Sequence, residues 1–203
     1  MLGWGARRRS NESAEAEHVL PTKVLAKFLQ AMSLQPAPVL IDLGAVVGSN
    51  VSFLGERLAC KLTVEDVFAD VERASREQRL PDLSATFSTR LARPDASVDG
   101  VLCWDIFDYL QKPAAAALGK ELVRLVRPGG ALMAFFAATK ADAAPFTRFV
   151  IRDDKTLAHR HYGAAQPKRT VFTNRDVELL FPGMRVSDAF LLLSHTREVL
   201  LRK

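Results

Sequence analysis

The sequence predicts an α/β fold: a doubly wound, mostly parallel sheet with helices on both faces, finished by a C-terminal antiparallel hairpin. Two observations carry that prediction. Short, almost wholly apolar runs such as "VLIDL" and "VDGVLCW" alternate with segments of helical periodicity, the pattern of parallel strands covered on both faces. Near the end, "RVSDAFLLL" and "TREVLLRK" are joined only around Ser194 and His195, and so short a link makes an antiparallel pair because parallel strands need a crossover.

The elements follow in order. Residues 1–20 are polar, carry Arg7-Arg8-Arg9 and lack an apolar block, so they read as a solvated tail and not as a secretory leader. Residues 21–203 are expected to form one domain. In "KVLAKFLQAM", Val24, Leu25, Phe28, Leu29 and Met32 recur at helical spacing, and Pro36 and Pro38 stop the helix. "VLIDL" is a buried strand. Beyond its loop, Val47, Val51, Leu54 and Leu58 share one helix face. "CKLTVED" is a second strand, Val67 to Leu80 holds a short helix, and "LSATF" reads as a brief third strand. "VDGVLCW" follows, then a helix from about Pro113 to Val126, and "RPGG" turns the chain into the strand "ALMAFFAA". "TNRDVELLF" opens on a capping pair, Thr173 and Asp176, and Pro182-Gly183 closes it.

Composition excludes several classes. With 48% hydrophobic and 25% charged residues the chain is neither disordered nor fibrous. No apolar run reaches the roughly 18 residues of a membrane span, and a cytosolic location is expected. The net charge of +5 is scattered, without the aromatic-interleaved basic stripe of nucleic-acid binders. Cys60 and Cys103, each within an apolar run, read as buried thiols and not as a disulfide or metal pair, and no metal site is expected.

A ligand of such a sheet sits at the carboxyl ends of the strands, which directs attention to the loop after "VLID". Gly44 and Gly48 are four apart, but a dinucleotide fingerprint needs glycines where Val46 and Ser49 stand, which leaves the nicotinamide or flavin reading weak. A phosphate-cradling G-x-x-x-x-G-K-[ST] loop is absent as well. What remains is an acid before the first glycine, Asp42, and an acid ending the next strand, Glu65.

"DLGAVVG" resembles the D-x-G-x-G-x-G loop of class I S-adenosylmethionine-dependent methyltransferases, with one glycine replaced. From about residue 36 to the end, "SVDGVLCWDIFDYL" is similar to that family's fourth-strand motif, "LVRPGG" to its turn into strand five, and the closing hairpin to its reversed seventh strand. The resemblance implies a Rossmann-like seven-stranded sheet and S-adenosylmethionine as cofactor. Its binding residues would be Asp42, facing the methionine amino group; Gly44, Ala45, Val46 and Gly48 of the loop; Glu65, on the ribose hydroxyls, with Asp66 assisting; and Trp104 and Asp105, lining the methionine and sulfonium side. Each has a plain structural alternative, as turn glycines, solvated acids or a core tryptophan.

Two positions differ from the family. Val46 replaces the middle glycine and is expected to crowd the methionine end, and where an acid often meets the adenine amine this chain has Phe87, Ser88 and Thr89. Transfer of the methyl group needs chiefly alignment, and a base only where the acceptor holds a proton. No base is assigned. His159 and His161 are candidates within the segment Thr139 to Phe172, which also holds Arg152, Arg160 and Tyr162 and in this family covers the substrate. Two functions remain open: methyl transfer to an unidentified acceptor, small molecules included, and a catalytically inactive methyltransferase-like binding or regulatory module.

Overall fold

The structure is a computed structural model that describes residues 17–139, 146–162 and 170–203. Helix α1 (Val24–Met32) leads into β2 (Val39–Asp42), α2 (Gly48–Leu58), β3 (Lys61–Val64), α3 (Val67–Arg76), α4 (Leu83–Arg90) and β4 (Val98–Leu102). Then come α5 (Lys112–Leu125), β5 (Val126–Ala137), α6 (Asn174–Leu180) and the hairpin β8 (Arg185–Leu191) and β9 (Thr196–Arg202). Six of these strands form one sheet in the order β3-β2-β4-β5-β9-β8. The pairings from β3 to β5 are parallel, and those of β5 with β9 and β9 with β8 are antiparallel. The expected C-terminal hairpin is therefore present, and Thr173 and Asp176 form the expected capping box on α6.

Among the described residues the sheet has six strands and not the seven expected. "LSATF" does not form the third strand: it lies in α4, where Leu83, Phe87 and Leu91, four residues apart, turn one buried face to the core. A five-residue window hides that spacing, and β3 is left at the sheet edge.

A second sheet was not foreseen. β1 (His18–Pro21), β6 (Phe146–Ile151) and β7 (Thr156–Tyr162) make an antiparallel sheet in the order β1-β7-β6. The tail expected over 1–20 thus becomes a strand at His18, while residues 1–16 lie outside the described residues.

Alternation along the strands splits the core between the faces of the large sheet. Leu132, Ala134 and Phe136 pack with the helices α3 to α6 on one face. Ala131, Met133 and Phe135 pack with α1, α2 and the small sheet on the other. α1 lies so close to β4 that a Cβ on Gly100 would stand 2.5 Å from Met32 Sδ, and only glycine admits the contact. The start of α1 has no cap of its own; Glu198 of β9, 1% exposed, accepts hydrogen bonds from the backbone N–H groups of Lys23 (2.7 Å) and Val24 (2.9 Å). Cys60 and Cys103 are free thiols at strand ends. Among the described residues no helix is long and apolar enough to cross a membrane.

Candidate functional site

The parallel pairing of β3, β2 and β4 brings their carboxyl ends side by side, and with them the segments 42–48, 65–66 and 104–105. Asp42 ends β2 almost wholly buried, at 2% exposure. Its Oδ1 accepts hydrogen bonds from the Gly44 backbone N–H at 2.8 Å and from the Trp104 indole N–H at 2.6 Å. Burial disfavours its charged form more than those two donors favour it, and with a nearby Asp66 carboxylate adding to the rise, the carboxyl is pushed up to about 6.

The loop glycines differ in what surrounds them. A Cβ on Gly44 would meet Trp104 Cδ1 at 2.7 Å and Nε1 at 2.9 Å, so the indole lies directly on the loop backbone. Gly48, at the start of α2, faces open space. Ala45 is half-buried against the core. Val46, expected to crowd the methionine end, is 67% exposed, and the crowding of that end comes from Trp104.

Glu65 follows β3 and is held by two arginines, Arg93 Nη2 at 3.2 Å from Oε1 and Arg90 Nε at 3.6 Å from Oε2. Arg90 also pairs with Asp70 at 3.0 Å. The two arginines come from α4 and the turn after it, so reading that stretch as a strand concealed them. Asp66 caps α3 by accepting from the Ala69 N–H at 3.1 Å. Asp105 is buried and accepts from the Tyr109 hydroxyl at 3.3 Å. Burial, with Asp105 and Asp108 alongside, pushes the Tyr109 phenol far up, so it remains a proton donor and is no base.

Strand β6 lies across the opening. Its Phe149 ring stacks on Trp104 with centroids 5.3 Å apart and planes 7° from parallel, and its Phe146 stacks on Phe68. Asn50, in the first turn of α2, fastens this strand edge: its amide donates to the Phe149 carbonyl at 2.8 Å and accepts from the Ile151 N–H at 2.7 Å. Neither Asn50 nor the two phenylalanines carried a motif; the alternation within "FTRFVI" and "TLAHRHY" was the one signal for this sheet.

Of the histidine candidates, His159 meets Phe149 edge-on at 4.9 Å and His161 hydrogen-bonds with Thr147 Oγ1 through Nδ1 at 3.1 Å. Both are half-buried on β7, on the side of the small sheet that carries Phe149. Arg152 and Arg160 pair with Glu17, and Tyr162 lies under Arg148.

A family model described as a methyltransferase domain matches residues 41–134, from the middle of β2 to β5. Over that stretch the chain is similar to methyltransferase domains. The chain is 29% identical over 105 residues to the 2-methyl-6-phytyl-1,4-hydroquinone methyltransferase of Synechocystis; the match covers 50% of the chain and 32% of that relative. Among solved structures, the CcbJ methyltransferase of Streptomyces caelestis aligns with a TM-score of 0.50 and 14% identity, covering 88% of this chain and 93% of that one. The [4+2]-cyclase SpnF aligns with a TM-score of 0.55 and 13% identity, over 89% and 80% of the two chains. At such identities the structures establish a shared fold. That fold carries different chemistries, so the site has to decide between them.

The family implies S-adenosylmethionine, and the residues can be tested against it. Among Gly44, Asn50, Phe68, Trp104, Phe146 and Phe149 the cleft narrows to a cavity of about 20 Å³. That is room for about one water, whereas pockets for drug-sized ligands run to roughly 300–1,000 Å³. Asp42 is engaged by Trp104, and Glu65 by Arg90 and Arg93. As these side chains stand, the donor set matches the cofactor in residue type and order, but the space beside Trp104 does not admit its methionine end.

Proposed function

We propose that residues 21–203 act as a single S-adenosylmethionine-dependent methyltransferase domain on a small-molecule acceptor. The observation that carries this reading is the ordered set of strand-end groups, Asp42 after β2, Glu65 after β3 and Asp105 after β4, within a stretch matched by the methyltransferase family model. Asp42, the loop from Gly44 through Ala45 and Val46 to Gly48, Glu65 and Asp105 are its proposed binding residues once the cleft is open. Asp66 serves the same site at one remove, by starting α3 beside it. A small apolar acceptor is supported by the aromatic lining, Phe68, Phe146 and Phe149, and by the hydroquinone in the name of the Synechocystis relative.

The test is titration calorimetry with S-adenosylmethionine and S-adenosylhomocysteine on the natural chain and on Phe149→Ala, which loosens the cleft. Saturable heat in either supports the reading. Absence of heat in both at millimolar ligand overturns it and favours the second reading, a methyltransferase-like binding module, for which the filled cleft is the specific observation.

A further inference from the structure

We propose that Trp104 is a built-in occupant of the methionine end of the cleft, held there by Asp42 and by Phe149 of β6, and that it sets cofactor affinity because the cofactor must displace it. The inference rests on the reading that the cleft binds S-adenosylmethionine.

Four observations on this one side chain converge. The indole N–H donates to Asp42 Oδ1 at 2.6 Å, so a ligand amine seeking that buried carboxylate has to compete with it. The ring lies on the Gly44 backbone, so closely that a Cβ there would stand 2.7 Å from the indole and force it to shift. Phe149 lies parallel to its other side, and Asn50 ties Phe149 and Ile151 to α2. Finally, Trp104 has φ +49°, a left-handed conformation that a bulky side chain adopts only under constraint. The constraint is visible: its carbonyl accepts from the Phe135 N–H at 2.7 Å while the indole is turned back onto the loop. The indole itself is held by one hydrogen bond, to Asp42, and one stack, on Phe149, so releasing it breaks those two contacts and leaves the backbone bond to Phe135 in place. The fraction of molecules with the indole displaced multiplies the intrinsic affinity, so a closed plug weakens apparent binding in proportion.

The ligand class follows from what the indole covers. An adenosine derivative with an amino-acid end, such as S-adenosylhomocysteine, competes with Trp104. A derivative lacking that end, such as 5′-methylthioadenosine, does not meet the Asp42 contact.

Calorimetry with both compounds on the natural chain, Trp104→Ala and Trp104→Phe is the test. Trp104→Phe keeps an apolar ring while removing the N–H and part of the indole's bulk, which guards against a failure to fold. We expect S-adenosylhomocysteine to bind Trp104→Ala at least tenfold more tightly than the natural chain, Trp104→Phe to lie between, and 5′-methylthioadenosine to change little. Equal gains for both compounds, or weaker binding of S-adenosylhomocysteine by the variants, overturn the plug while leaving the cofactor reading intact. No binding by any form overturns the cofactor reading itself, and the plug with it.

A second readout is optical. The chain has two tryptophans, Trp4 and Trp104, so Trp4→Phe makes Trp104 the sole emitter. Its emission is expected to move to the red as S-adenosylhomocysteine saturates it. Saturation with no shift means that the indole stayed in place, and the proposal fails.

Discussion

The Trp104 indole N–H and the Asp42 carboxylate are hydrogen-bonded at 2.6 Å in a nearly dry site, where the carboxyl ends of the paired strands β2 and β4 meet. The pair joins the acid at the end of β2 to a side chain that fills the space in front of it. Several consequences can be measured.

Asp42 gives stability a pH dependence. Its folded-state pKa is raised to about 6, so the folded protein holds the proton more tightly than the unfolded chain does. That contribution is fully present below the unfolded value of about 3.9 and is lost as pH rises through the folded value. The loss amounts to about 3 kcal/mol as an order of magnitude. Asp42→Asn removes the titration, so its melting temperature is expected to gain on that of the natural chain between acidic and neutral pH. Parallel melting curves across that range would show that Asp42 does not titrate there.

Gly44 and Trp104 should be coupled. Gly44→Ala puts a Cβ 2.7 Å from the indole and is expected to destabilise the protein by about 1–3 kcal/mol through overpacking. In the Trp104→Ala background the same change should be close to neutral. A double-mutant cycle by urea denaturation measures the coupling, and strict additivity would mean that the contact relaxes without cost.

Val46, by contrast, should matter little. At 67% exposure its side chain fills no part of the cleft, so Val46→Gly is expected to shift stability by no more than about 1 kcal/mol. It should also leave S-adenosylhomocysteine binding as it is in the natural chain. A large gain in binding from this change alone would return the block to the loop and away from Trp104.

Asn50 is the latch of β6. Asn50→Ala strands the Phe149 carbonyl and the Ile151 N–H, a cost of about 1–3 kcal/mol. Amide exchange at Ile151 should accelerate more than exchange in β5. Uniform acceleration would indicate global loosening instead.

Glu198 ties the two ends of the chain together. Glu198→Ala leaves the N–H groups of Lys23 and Val24 without their acceptor and should cost about 1–3 kcal/mol. Glu198→Gln, which keeps one carbonyl acceptor, should recover part of the loss. Equal denaturation midpoints for all three proteins would remove this cap from the account.

Much of the fold was legible because local pattern and tertiary role agree. The apolar run at 39–43, the helical face of Val24 to Met32 and the capping pair Thr173 and Asp176 each carry their own structural instruction, and each element formed where expected. "LSATF" was misread because a short apolar stretch has no period of its own; the deciding spacing, Leu83 to Phe87 to Leu91, extends past it. The β1-β7-β6 sheet was missed because its strands lie far apart in sequence, and His18 meets His159 only after the chain has folded.

The candidate site divides along the same line. Asp42, Gly44, Gly48 and Glu65 are recognisable as candidates through the resemblance of their loop and strand ends to the methyltransferase motif. Their present partners are not: Arg90 comes from the misread helix and Arg93 from the turn after it, Phe149 from the unforeseen sheet, and Asn50 had no motif to mark it.

By itself, then, the sequence determined the α/β alternation, the closing hairpin and the family-like order of acids and glycines, because these are written in short-range periodicity and motif spacing. Only the tertiary structure decided that the cleft is filled. Whether an indole lies on Gly44, or whether a strand 100 residues away latches onto Asn50, depends on packing between elements whose approach no local pattern encodes.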